Sequence, residues 1–123
     1  QPNAIMSINS VLAPEQLLHY RQQVKQVHVE AHLLKYIAHL VQQTRNNAAI
    51  YLGASPRASL SLMNTAKAVA AMRGRDFVTP EDIQKVALPV LRHRIMLSPE
   101  KEMEGISADD LVNGLLKNLE IPR

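Results

Sequence analysis

Between residues 30 and 45 apolar side chains fall at Leu33, Leu34, Ile37, Leu40 and Val41, with His, Lys and Gln between them. Spacings of three and four return one face of a helix toward a core, so this stretch predicts a helix that ends at "TRNN", where Arg45 suits the negative end. A shorter amphipathic helix is expected over 14–25, opened by Pro14 and faced by Leu17, Leu18, Val24 and, just beyond it, Val27. The β-branched "VHV" at 27–29 is expected to extend. A third helix opens with Ser55 as cap and Pro56 at its first position, shows Leu60, Met63, Ala66, Val69 and Ala70 as its core face, and stops at Gly74. So many alanines predict a closely packed neighbour.

"DFV" at 76–78 is a short extended link, and "TPED" opens the next helix with Thr79 as cap and Asp82 three residues later, a carboxylate form of the capping box. Ile83, Val86, Ala87, Val90 and Leu91 form its buried stripe. Pro89 inside that stripe should kink or divide the helix, because it removes a backbone bond and crowds the carbonyl four residues earlier. "LSPEKEMEG" at 97–105 is a charged connector, and Ser107 with Asp110 caps a last helix carrying Leu111, Leu115, Leu116 and Leu119. Residues 1–13 show no period and predict a loop or strand-like lead-in, and 46–54 a loop through Gly53. The sum is an all-α domain of five helices with at most a very short extended element near 27–29 and 76–78.

The length of 123 residues fits one domain. With no cysteine, disulfides and thiolate metal sites are excluded, and the composition points to an intracellular protein. No signal peptide leads the sequence, and its apolar runs are too short to span a bilayer. Fourteen Lys/Arg against eleven Asp/Glu leave a formal +3, a modest excess gathered partly in "RGR" at 73–75 and "RHR" at 92–94. One phenylalanine and three tyrosines offer little for stacking on single strands.

Candidate chemistry is sparse. His28, Glu30 and His32 read H-x-E-x-H, with His39 further along the same helix; this is not the H-E-x-x-H of zinc peptidases, and packed or surface histidine explains it better than a metal site. His93 between Arg92 and Arg94 has no acidic partner or nucleophile placed with it by spacing. No G-x-x-x-x-G-K-[ST] phosphate loop occurs, so the chain by itself cannot hydrolyse a nucleotide.

Arg57 stands out within "LGASPRASLSLM", because a helix start carries roughly half a positive charge and disfavours a cation in its first turn. Two readings are open. The long side chain can swing its charge into water, or the guanidinium, the free N–H groups and the helix dipole can converge on an anion such as a phosphate. Pro56 fixes the turn, and the small residues Ala54, Ser55, Ala58 and Ser59 would admit a bulky ligand.

The stretch 44–95 resembles the C-terminal lid of the MoxR-type AAA+ ATPases, carrying "GASPRA", "GRDFVTPEDI" and "VLRHRI" in that family's order, with "SVLAPEQL" and "VHVEAHLLKYIAHLVQQTR" before and "IPR" after. The resemblance implies a lead-in linker over 1–13 from an AAA+ core and a helical lid over 14–123. It implies that Arg57 is the sensor-2 arginine that reaches the γ-phosphate of ATP, with Ser55, Pro56 and Ala58 beside the nucleotide. It further implies ATP and Mg2+ in the parent protein, the neighbouring subunits of a ring, usually a hexamer, and a cytoplasmic setting. Chaperone-like maturation of other proteins, by metal insertion or with von Willebrand factor A domain partners, belongs to the same expectation. The alternative of another class is a small helical nucleic-acid-binding or histone-fold-like module, whose arginine clusters would meet phosphates with salt-steep affinity.

Overall fold

The protein was analysed as a computed structural model that describes residues 2–122. Gln1 and Arg123, the outer ends of the expected lead-in and lid, lie outside the described residues. The chain runs α1 (Pro2–Met6), α2 (Pro14–Lys25), α3 (Ala31–Arg45), β1 (Ile50–Leu52), α4 (Pro56–Met72), α5 (Pro80–Leu91), β2 (Met96–Leu97), α6 (Pro99–Met103) and α7 (Ala108–Asn118). The five expected helices are α2, α3, α4, α5 and α7. Two single-turn helices were not expected. α1 replaces part of the loop or strand-like lead-in, and α6 interrupts the charged connector where Ser98 accepts a bond from the Lys101 amide and Pro99 opens the turn.

α4 is the central element and packs against α2, α3 and α5, while α7 closes over α5 and α3. Its buried row is Ala58, Leu62, Ala66 and Ala70, a strict four-residue ridge in which three alanines let neighbouring helices approach and Leu62 fills the core. The expected face was out of phase. Ala66 and Ala70 are core, Met63 and Val69 pack at its margin, but Leu60 is exposed and Leu62 is fully buried in its place. On α3, Leu34 likewise faces solvent, and Tyr36 and Thr44 join the expected Leu33, Ile37, Leu40 and Val41 in the core. α2 buries none of its own residues: Leu17 and Leu18 are exposed, and only Val27 beyond its end enters the core.

The two extended segments meet each other. His28 and Phe77 form an isolated parallel bridge, in which the His28 amide donates to the Asp76 carbonyl (2.8 Å) and the Val78 amide to the His28 carbonyl (2.9 Å). This ties the α2–α3 junction to the α4–α5 link. A second pairing, absent from the sequence expectation, joins β1 and β2 as an antiparallel ribbon with Ile50 opposite Leu97 and Leu52 opposite Met96. Segments of two and three residues are too short to show an alternating pattern, which is why this one read as loop.

α4 ends as expected, because Gly74 takes φ +74°, and the Arg75 and Gly74 amides donate back to Ala70 O (2.9 Å) and Ala71 O (3.0 Å). Arg75 then turns inward. Its Nη1 and Nη2 donate to Asp82 Oδ2 and Oδ1, both at 2.7 Å, and Oδ2 also accepts from the Thr79 amide at 2.9 Å, so one buried carboxylate caps α5 and holds the end of α4. Burial pushes the Asp82 carboxyl up, but the hydrogen bonds from Arg75 and Thr79 outweigh it and hold the group below the usual carboxylate range. Pro89 does not divide α5. It lies near the helix end on the exposed side, and Lys85, whose carbonyl loses its partner, is also exposed, so water can satisfy the missing bond.

Candidate functional site

The start of α4 is the site to which the sequence points, and its geometry is set by what precedes it. α3 ends at Arg45, the chain turns through β1, and Gly53 passes so close to α3 that an added Cβ would stand 2.5 Å from the Thr44 carbonyl oxygen. Only glycine permits that approach. Ala54 follows, fully buried, and its amide donates to the buried Thr44 hydroxyl at 2.9 Å. Ser55 stands at the N-cap with extended backbone angles, yet its side chain caps no amide, contrary to the expectation for a serine there. Pro56 brings no N–H, and the Ala58 amide donates to Ser55 O at 2.9 Å.

Ser55, Pro56 and Arg57 are therefore exposed together on one turn. Ala58 is not with them. Its side chain, like that of Ala54, is in the core, so these alanines seat the turn against the domain and do not line an approach for a ligand. Ser59 is half-buried. Arg57 makes no ion pair or side-chain hydrogen bond among the described residues, and α4 contains no Asp or Glu along its whole length. A guanidinium beside a positive helix end, with no carboxylate at hand, has solvent or an outside anion as its counterpart.

The two arginine clusters are committed differently. Arg75 is consumed by Asp82, which holds the guanidinium even more firmly protonated than usual, and the guanidinium also lies 5.8 Å from the Phe77 ring centre. Arg92 Nε stands 3.3 Å from Asp109 Oδ1, and Arg94 donates to Ser61 Oγ at 3.2 Å, one helical turn beyond Arg57. Carboxylates thus face two of the four cluster arginines, Arg75 and Arg92, and would compete with a nucleic-acid phosphate for the guanidinium groups at those two positions. His93 is exposed and has no partner among the described residues. His28 contacts Glu30 (Nε2 to Oε1, 3.1 Å) on the surface, and no group of three or more His, Cys, Asp or Glu among the described residues is placed to hold a metal ion. Sequence reasoning missed Thr44 and Gly53. A lone threonine in "QQTRNN" and one glycine in an apolar loop carry no local signal of their meeting.

The AAA lid domain family matches this chain over residues 42–115, well over half its length. The chain belongs to the AAA lid domain family. The lid domain is 31% identical over 122 residues to the chaperone MoxR1 of Mycobacterium tuberculosis, covering 92% of this chain and 32% of that protein. It is 37% identical over 118 residues to the uncharacterized protein YeaC of Bacillus subtilis, covering 96% of this chain and 37% of that one. A crystal structure from Cytophaga hutchinsonii, named provisionally as an ATPase, superposes with a TM-score of 0.84 at 36% identity over 89% of this chain and 36% of that one. The lid domain thus spans about a third of the length of these relatives, and with the MoxR proteins among them it is a lid of the MoxR kind. No helix among the described residues is long and apolar enough to cross a membrane.

Proposed function

We propose that this lid domain is the nucleotide-responsive lid of a MoxR-type AAA+ ATPase, in which Arg57 reaches the terminal phosphoryl group of ATP held by a core domain of the same chain. The observation that supports this best is the state of Arg57: exposed, without a carboxylate partner among the described residues, at the positive start of a 17-residue helix. Such a first turn fits the anionic end of ATP. When bound, ATP supplies the phosphoanhydride bond to be cleaved. The residues of this chain orient and neutralise: Arg57 offers a planar fork to the terminal phosphoryl oxygens, and Ser55 and Pro56 leave the helix start open to it. Mg2+ and the residues that activate water are assigned to the core, so the lid alone is not catalytic. Once the terminal phosphoryl group has left, Arg57 loses its anion and the lid is free to turn.

In this reading the whole protein is a cytoplasmic ATPase whose subunits form a ring, with chaperone-like action on other proteins and von Willebrand factor A domain proteins as candidate partners. The name of the Mycobacterium tuberculosis relative supports the chaperone-like part. Arg57→Ala in the intact ATPase should lower turnover by about 100-fold and move the melting temperature of the 123-residue lid by no more than ~2 °C. Undiminished turnover, or a large loss of lid stability, would overturn the reading.

A further inference from the structure

The Thr44 hydroxyl is fully buried and makes two bonds in opposite directions: it donates to Val41 O (2.6 Å) within α3 and accepts from the Ala54 amide (2.9 Å) ten residues on. Gly53 is pressed against the backbone of the same turn, an added Cβ falling 2.5 Å from Thr44 O and 2.7 Å from Arg45 Cα. The end of α3 thereby grips the two residues before the cap of α4. On the far side Ala58 is wholly buried in the core. Arg57 lies between these anchors, three residues from Ala54 and one from Ala58, and Pro56 stiffens the short span by fixing its own φ.

We infer that Thr44 is a positioning residue for Arg57: its hydroxyl, with the close approach of Gly53, sets where the first turn of α4 stands and so where the guanidinium can reach. The inference rests on the proposed role of Arg57 and adds the device that aims it. A hydroxyl is needed because only one group of this size both accepts the Ala54 amide and satisfies its own proton inside the α3 turn. Valine has the same shape and leaves the Ala54 amide without its acceptor, which releases the segment that carries Arg57. Misplacement of an orienting group by about an ångström can lower a rate by up to ~100-fold, and a partial release of this kind is expected to reduce it by about 10-fold.

The experiment compares Thr44→Val, Thr44→Ser, Arg57→Ala and the Thr44→Val/Arg57→Ala double variant in the intact ATPase, reading kcat for ATP hydrolysis alongside thermal melting. Thr44→Val is expected to lower kcat by about 10-fold, Thr44→Ser to stay within about 2-fold of the parent, and Thr44→Val to add less than about 2-fold once Arg57 is alanine. An equal loss in both backgrounds means that Thr44 acts on the fold and not through Arg57, and overturns the inference. So does a folded Thr44→Val protein with undiminished kcat while Arg57→Ala is impaired. Undiminished kcat in Arg57→Ala removes the sensing role and this inference with it. If Thr44→Val does not fold, Gly53→Ala disturbs the same junction from the other side of the contact and is read by the same cycle.

Discussion

Asparagine at position 82 would keep the shape of the aspartate while removing its charge from a side chain with no solvent exposure. The change leaves the Thr79 amide an acceptor but sets an NH2 group against the Arg75 guanidinium, which now donates to both carboxylate oxygens at 2.7 Å. Breaking a buried ion pair costs about 3–5 kcal/mol. Arg75 retains 23% exposure, so water recovers part of its solvation and the loss for Asp82→Asn belongs near the lower end, about 3 kcal/mol. For a chain of this length each kcal/mol moves the melting temperature by roughly 3–6 °C, which places the variant about 10–15 °C below the parent at pH 7. The assay is thermal melting followed by helical circular dichroism at a series of pH values. Because Asp82 titrates lower in the folded chain than in the unfolded one, its stabilisation is complete above the unfolded value near 3.9 and is lost as pH falls through the folded value. The gap between parent and variant should therefore hold steady from pH 7 to about 5 and narrow below about 4. A variant that melts within about 2 °C of the parent at pH 7, or a gap that persists into acid, would refute the claim that this carboxylate joins α4 to α5.

The phase of α4 is checked by two leucines of equal size: Leu62→Ala should cost about 2–5 kcal/mol in urea unfolding and Leu60→Ala less than about 0.5, and the opposite order would restore the face expected from sequence. The Tyr36 hydroxyl is buried and has no hydrogen-bond partner among the described residues, so Tyr36→Phe should raise stability by about 1 kcal/mol; a lowered melting temperature would show that the hydroxyl is satisfied after all.

Much of the local structure was legible because it depends on residues close in sequence. Thr79 with Asp82 and Ser107 with Asp110 cap their helices, and Gly74 stops α4 at a positive φ. Each of these signals works within a few residues, where backbone geometry decides which side chain meets which amide. Ser55 is the exception. It sits where a cap belongs but makes no capping bond, at the turn that presents Arg57. Arg57 itself was legible as an anomaly, a cation where the helix dipole disfavours one, and the family resemblance supplied the anion that would account for it.

What the chain determines alone is thus the number of main helices, the caps of α5 and α7 and the odd placement of one arginine, since all of these follow from short-range spacing and charge. Tertiary packing decided the rest. It chose Leu62 over the equally apolar Leu60, paired Arg75 with Asp82 across seven residues, made a ribbon of two segments some forty-five residues apart, and drew Thr44 to Ala54. Those choices depend on which surfaces α3, α5 and α7 leave for α4 to fill, and no spacing along a single helix carries that information.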